Sequence, residues 1–380
     1  MWHRLDDRYC LPKASLTILF RNPEVYHKFD AKRNSWTFDP IAGLKSGLLM
    51  DTFADALAQT TYDAELAGLD WALEATVSGL VLKCGGYSQH LTAFASNILC
   101  QFFNRDASFI NNKYVNTNKD RKIRFLDSYL KSKRADSYAS YYTDLLLSSQ
   151  GHGVESSLEI TKEITTECIQ SHHRNLISSG LNRAECLISG NISQNDAEDF
   201  FLKTREIISS VTHTIESEHM EQGDTNRPIG YDQFIPGPFE RALEKGEDIY
   251  LHFQSQNPEE QNGAVRVQFQ SPIPAFKGID LESTETKESL LHTAAIRVLC
   301  QILREPLFNQ LRTKEQLGYV VNSHYDLGFT SQWTSDGQEC TFTTTPINSI
   351  IVNVLSRKVP PPVLIRRIDE FLDTFGENLL

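Results

Sequence analysis

Two stretches of this sequence, 249 positions apart at Pro23 and Pro272, are written on one pattern. Ser15-Leu-Thr-Ile-Leu-Phe-Arg-Asn-Pro23 and Ala264-Val-Arg-Val-Gln-Phe-Gln-Ser-Pro272 are alternating runs that close on Phe-x-x-Pro. Alternation of apolar and other residues marks a half-buried strand. Downstream, Leu49, Phe53 and Leu57 stand opposite Leu299, Leu303 and Leu307, and Glu65 and Gly68 opposite Glu315 and Gly318, at an offset of 250. An offset held through a strand, a helix and the end of that helix marks a duplicated unit. The unit is a strand, a helix lying on it, a short helix stopped by glycine, and a hairpin. It predicts an α+β fold: two homologous sandwich domains, each a mainly antiparallel sheet with helices on one face.

Element by element, the first copy reads as a strand over Ser15–Phe20, a helix over Gly47–Thr60 and a second, short helix over Tyr62–Leu69. Hairpin strands Trp71–Val77 and Leu80–Cys84 and a helix over Ser88–Phe103 follow. Lys28 to Asp39 is polar and aperiodic, an irregular surface insertion. Asp120–Ser149 and Ser156–Ser179 carry long helical patterns, Ala184–Ser189 reads as a strand, and Gln194–Ser217 as a helix with acidic residues early, as its dipole prefers. Glu218 to Pro238 holds Gly and Pro without an apolar period and reads as a linker. The domains are therefore expected at 1–220 and 243–380, with a linker over 221–242. In the second copy, Ile249–Gln254 and Ala264–Phe269 read as strands, Glu285–Leu307 as a helix and Phe308–Gly318 as a short helix. Tyr319–Tyr325 and Cys340–Thr344 read as the hairpin, and Val363–Leu380 as an amphipathic helix. Less sequence follows the hairpin in the second copy than in the first, so the second domain is expected to be truncated. A strand so near Met1 raises the expectation that other sequence precedes it.

Composition narrows the partners. Among 380 residues, 40% are hydrophobic and 23% charged, as in folded proteins. A net charge of −12 argues against nucleic acid, whose phosphates need a basic face. No run of about 18 apolar residues suggests a membrane span, and the N-terminus lacks the apolar core of a secretory signal. There are seven cysteines and no Cys-x-x-Cys. Cys84, Cys100 and Cys300 lie in apolar stretches and are expected as buried, reduced thiols. A reducing compartment is expected, the cytoplasm first and the mitochondrion as the alternative.

The chemistry-bearing patterns are few. Neither His-Glu-x-x-His nor its inverse His-x-x-Glu-His occurs. In His213-Thr-Ile-Glu216-Ser-Glu-His219 the histidines are six apart, on roughly opposite sides of a helix, so they do not share a zinc. His172-His173 reads as a solvated helix face. Gly86-Tyr-Ser88-Gln-His90 has the strand-to-helix context of a hydrolase elbow, but His90 stands where that turn needs glycine. Ser88 as a helix N-cap explains the same residues and is favoured over a serine hydrolase. That leaves Arg312-Thr-Lys-Glu-Gln-Leu-Gly-Tyr319. Seven residues are two helical turns, so Arg312 and Tyr319 can face one side. A guanidinium holds a carbonyl or carboxylate, and a phenol donates to a developing oxyanion. The alternative pairs Arg312 with Glu315 and packs Tyr319 at the hairpin entrance. The first copy has Tyr62 and Leu69 at these positions.

Glu305-Pro-Leu-Phe-Asn-Gln-Leu-Arg-Thr-Lys-Glu-Gln-Leu-Gly-Tyr319 resembles the fourth-domain signature of the insulysin and pitrilysin-type inverted zinc peptidases. Trp2 to Phe20 (with Asp6-Asp7 and Leu11-Pro-Lys-Ala14), Ala64-Glu-Leu-Ala-Gly-Leu69 and Gly190-Asn191-Ile192 resemble the third domain, in the same order. The resemblance implies a four-domain zinc metalloendopeptidase whose two halves close around a peptide. It implies a zinc motif in the first domain, outside this sequence, so that zinc belongs to the complete enzyme and none is bound here. It implies that Arg312 and Tyr319 make the substrate and transition-state contacts. The expected partners are peptide substrates and an N-terminal zinc-bearing half, and the chain alone is expected to be inactive. A free-standing, non-catalytic binding or regulatory module is the alternative.

Overall fold

The computed structural model describes residues 1–6, 11–30, 35–148, 151–178, 184–220, 239–274, 284–335 and 340–377. Asp7, most of the expected linker and the last three residues lie outside them. The chain forms two compact units, Met1–Phe125 with Glu155–Pro236, and Leu126–Val154 with Gly237–Leu380. The second unit thus takes a segment from the middle of the sequence, which a linear division at 220 does not capture.

The first unit is built on a five-stranded sheet of β1 (Trp2–Leu5), β2 (Lys13–Arg21), β5 (Asp70–Thr76), β6 (Gly79–Tyr87) and β7 (Ala184–Gly190), in the order β1-β7-β2-β6-β5. Only β1 against β7 is parallel. In β2 every second side chain is buried: Ala14, Leu16, Ile18 and Phe20 point at the core. Burying that row fixes the register, because a slip of one residue would turn the whole apolar set to solvent. Against the sheet lie α1 (Pro40–Leu66), α2 (Ser88–Phe102) and α7 (Gln194–Met220); α6 (Thr166–Ser178) packs on α1 and α7, and α5 (Val154–Glu163) precedes it. Phe53 of α1 is fully buried and meets Trp71, Phe102 and Phe109 edge-on at ring separations of 5.8, 5.2 and 4.9 Å.

Several expectations are corrected here. The insertion near Lys28, read as irregular, contains two strands: β3 (His27–Asp30) pairs antiparallel with β4 (Ser35–Phe38). Rings link its two strands, Phe29 to Trp36 at 5.5 Å and His27 to Phe38 at 6.1 Å, which the surrounding polar residues hide from a reading of periodicity. The helix read over Gly47–Thr60 and the short one over Tyr62–Leu69 are one, α1, started by Pro40 behind an Asp39 cap. The long helical patterns break into α3 (Asn112–Lys131) and α4 (Ala135–Leu147), and into α5 and α6. Ser88 is the first residue of α2 and not its cap; Tyr87 holds the cap position without a side-chain bond. Cys100 is exposed, whereas Cys84 and Cys300 are buried as expected.

The second unit contains β8 (Gly263–Pro274), β9 (Val320–Ser335) and β10 (Cys340–Ser356), all antiparallel, in the order β8-β10-β9. Its helices are α4, α8 (Thr284–Leu307) and α9 (Pro361–Glu377). Val265, Leu303, Leu307, Leu311, Val352, Leu364 and Ile368 form its core. From the other side of β8, Arg266 reaches Ser140 and Asp144 of α4, both at 3.3 Å. Ile249–Gln254 forms no strand. Its Phe253 stacks on Tyr142 at 3.8 Å but stays 45% exposed, and Tyr250 is 79% exposed, so its alternation builds no sheet face. The order β2-β6-β5 in the first unit equals β8-β10-β9 in the second, each strand reached through α1 or α8. The duplication read from the sequence is therefore a duplication of topology.

Candidate functional site

The Arg312 to Tyr319 block is shaped by four local constraints. Pro306 sits in the last turn of α8 and cannot donate there, which loosens the helix. The chain continues as a π-helical segment, Phe308–Lys314, anchored by the fully buried Leu311. Gln316 then takes a left-handed conformation, φ 54°, and turns the chain out of the helix. Gly318 passes so close to β10 that a Cβ there would lie 2.5 Å from the Leu355 carbonyl oxygen. Beyond it the Tyr319 N–H donates to the same oxygen at 3.1 Å, and β9 begins.

The helix stops at Lys314, so Arg312 and Tyr319 are not two turns apart on one face; that spacing argument is corrected. Both side chains are nonetheless exposed, Tyr319 by 46%. The Arg312 guanidinium lies over the Phe308 ring, 5.1 Å from its centre. It does not pair with Glu315. That carboxylate accepts from Arg367 of α9 at 2.6 and 2.8 Å and from Gln310 at 2.8 Å. Arg367's hydrogen bonds hold the Glu315 carboxyl below its ordinary range. A forked guanidinium on a carboxylate is geometrically strict, so the clamp ties the turn to α9 and leaves Arg312 free to meet a ligand. A groove of about 1330 Å³ runs beside the segment, with Thr313, Lys314, Arg367 and Phe371 in its wall; neither Arg312 nor Tyr319 lines it. Sequence reasoning missed Arg367 because its partner is 52 positions away, beyond any helical spacing. The one signal was an arginine on an otherwise apolar-faced helix.

The other candidates resolve into packing. His172 and His173 are buried, against the expectation of a solvated face. Ser46 donates to the Val25 carbonyl and accepts from His172 Nε2, each at 2.8 Å. His173 Nε2 donates to the Phe102 carbonyl at 2.8 Å, and its ring meets Phe102 and Phe109 edge-on. Burial pushes their pKa values down to about 3 and about 4. They are neutral core residues. Burial also pushes the Cys84 and Cys186 thiols up to about 12, which makes them poor nucleophiles. Gly86 has φ 123° and lies against Gly68, where a Cβ would come within 2.2 Å of a carbonyl oxygen; that close approach accounts for the glycine before Ser88. The side chains of His213 and His219 lie outside the described residues.

Comparison with known proteins gives the fold a family. A model described as the middle or third domain of peptidase M16 matches residues 1–160. One described as PQQ synthase PqqF-like, C-terminal lobe domain 4, matches residues 298–329. Human insulin-degrading enzyme is 25% identical over all of this chain, which covers 31% of it. A solved pitrilysin is 17% identical with a TM-score of 0.57, over 98% of this chain and 32% of that one. A Pseudomonas fluorescens protein described as an inactive peptidase M16 domain is 15% identical with a TM-score of 0.53, over 99% of this chain and 76% of that one. The two structural likenesses speak for the fold alone.

In sequence the chain is similar to the peptidase M16 family, the insulysin and pitrilysin class. Within that class it corresponds to the C-terminal half, the third domain and part of the fourth. It spans about a third of the length of the curated relatives it matches. Relatives from Caenorhabditis elegans and Schizosaccharomyces pombe are named zinc proteases. Among the described residues no three His, Cys, Asp or Glu side chains converge where they could hold a metal ion, so these residues do not fit a zinc site. No described helix is long and apolar enough to cross a membrane.

Proposed function

We propose that this chain is the substrate-enclosing, C-terminal half of an insulysin-like zinc metalloendopeptidase that cleaves peptides. The observation that carries the reading is the segment Phe308–Tyr319. It presents an arginine and a tyrosine to solvent from a turn fixed by the Glu315–Arg367 clamp, in a chain aligned along its whole length with insulin-degrading enzyme. Arg312 holds a peptide carbonyl through its guanidinium. Tyr319 donates its phenol hydrogen to the oxygen on which charge develops. Water activation is left to a zinc-bearing N-terminal half, and the chain acts in a reducing compartment, the cytoplasm in the first instance.

The test is metal analysis and peptide cleavage by the purified chain, alone and mixed with the zinc-bearing N-terminal half of a family member. No turnover alone and cleavage on mixing are expected. Stoichiometric zinc or chelator-sensitive turnover by the chain alone would refute the proposal. A second reading, a non-catalytic module that pairs with another half, draws support from the Pseudomonas fluorescens neighbour described as inactive. It predicts binding of peptide in the mixture without cleavage.

A further inference from the structure

The second unit holds a cavity of about 730 Å³ whose charge runs against that of the protein. The whole chain carries −12, yet three arginines, Arg266, Arg297 and Arg304, line this cavity and, among the described residues, no carboxylate does. Arg297 and Arg304 are seven apart on α8, two helical turns, and so stand on one face. Among the described residues neither forms an ion pair; Arg297 rests over the Tyr325 ring, 4.8 Å from its centre. Arg266 spends its two terminal nitrogens on Ser140 and Asp144, while its Nε–H is buried without a hydrogen-bond partner among the described residues. Ser323, 5% exposed, has a buried hydroxyl that also lacks a partner there. Buried donors left unpaired cost free energy, and two of them beside Arg297 and Arg304, which have no ion partner among the described residues, call for an acceptor.

The cavity's position says what form the acceptor takes. Its wall includes Asn322, Ser323, His324 and Tyr325, four consecutive residues of β9. Side chains in a strand alternate between faces, so one cavity reaches four in a row by running along the strand's edge. β9 is the outermost strand of its sheet, and among the described residues no strand lies beyond the main-chain N–H and C=O groups of its outer edge. An extended peptide is the ligand that pairs with such an edge. Asp144 and Glu240 already act on Arg266, so Arg297 and Arg304 are the cations left to a ligand, and their place beside a length of strand edge suits carboxylates carried on an extended chain.

We infer that the outer edge of β9 with the Arg297/Arg304 face of α8 is a binding site for an extended acidic peptide, with its carboxylates on the arginines and on the Ser323 hydroxyl. The site is distinct from Arg312 and Tyr319. It binds peptide whether or not the chain serves a peptidase.

The test uses the purified 380-residue chain and a fluorescent peptide with glutamates at alternate positions, read by anisotropy. Three companions carry Gln for Glu, Pro at the intervening positions, or no peptide at all (inorganic phosphate as competitor). The glutamate peptide should bind at least about tenfold more tightly than the glutamine and proline peptides. Binding should weaken by a similar factor in R297Q and R304Q, less in S323A, and with rising salt. Equal binding of the glutamate and glutamine peptides overturns the proposal without reference to any variant. So do full binding in the double variant R297Q/R304Q, equal binding of the proline peptide, or displacement by phosphate at concentrations where acetate has no effect.

Discussion

The two copies of the repeat build the same sheet and then leave it differently. In the first, α1 ends with Gly68 at φ 86°, and the N–H groups of Gly68 and Leu69 close onto the Glu65 and Ala64 carbonyls. Leu69 returns to the core, 7% exposed, and the Glu65 side chain accepts from Thr61, one turn back. In the second copy the same Glu-x-x-Gly frame holds a π-helical turn, a left-handed Gln316 and a carboxylate clamped to another helix. The residue matching Leu69 is Tyr319, which faces solvent. A glycine stop suffices to end a helix; the second copy adds rigidity and exposed polar groups at the same place. Investment in an exposed segment is the mark of a contact surface, because exposed side chains add little to stability.

The comparison can be broken most forcefully by kinetics. In the enzyme reconstituted with a zinc-bearing half, R312A or Y319F should lower kcat/KM by roughly ten- to a thousandfold, the range of one transition-state contact. The matching change Y62F in the first copy should do nothing. Wild-type kinetics in both second-copy variants would remove the distinction.

Acid should separate the units next. His172 and His173 have folded pKa values of about 3 and about 4 against an ordinary 6.5, lowered chiefly by burial. Above pH 6.5 neither the folded nor the unfolded chain protonates them, and nothing is lost. As pH falls below that point only the unfolded chain takes up the protons. Stability of the first unit therefore declines from there down to the folded values, by a few kcal/mol at about pH 4.5. His152, His252, His292 and His324 of the second unit are exposed or half-buried, and of the effects of burial there only a lowering of the His152 pKa stands out. Hydrogen exchange resolved by segment should show the first unit loosening first as pH falls, and H172Q should flatten its slope. Parallel loss in both units would contradict the burial argument.

Smaller effects sharpen the turn itself. G318A should destabilise the start of β9 by about 2 kcal/mol, because its methyl meets the Leu355 carbonyl. E315Q should cost about 1 kcal/mol, since Arg367 and Glu315 are 31% and 19% exposed and part of their attraction is screened. Urea unfolding measures both. A G318A protein as stable as the parent would mean that the approach to β10 relaxes freely.

What could be read from the sequence was whatever repeats within a few residues or at a fixed offset. The alternation of Ser15–Phe20 marked β2 with its buried row, and the spacing of Leu49, Phe53 and Leu57 marked the inner face of α1. The conformation after Lys314 was not legible. It depends on a proline's missing donor, on one left-handed glutamine and on an arginine from α9, none of which has a period. The buried histidines were missed for a related reason: His172 is tolerated inside only because Ser46, far away in the chain, supplies an acceptor. Arg312 and Tyr319 were legible as a block and misjudged as a helix face.

If Phe308–Tyr319 meets peptides as proposed, the tether between Glu315 and Arg367 sets how selective the segment is. A reading head held rigidly loses little entropy when it meets a peptide, so it discriminates by shape; a slack one adapts and accepts more sequences. The stiffness here is set by an arginine on another helix. Substituting residue 367 alone would then widen or narrow the range of peptides accepted while every residue that touches them stays the same.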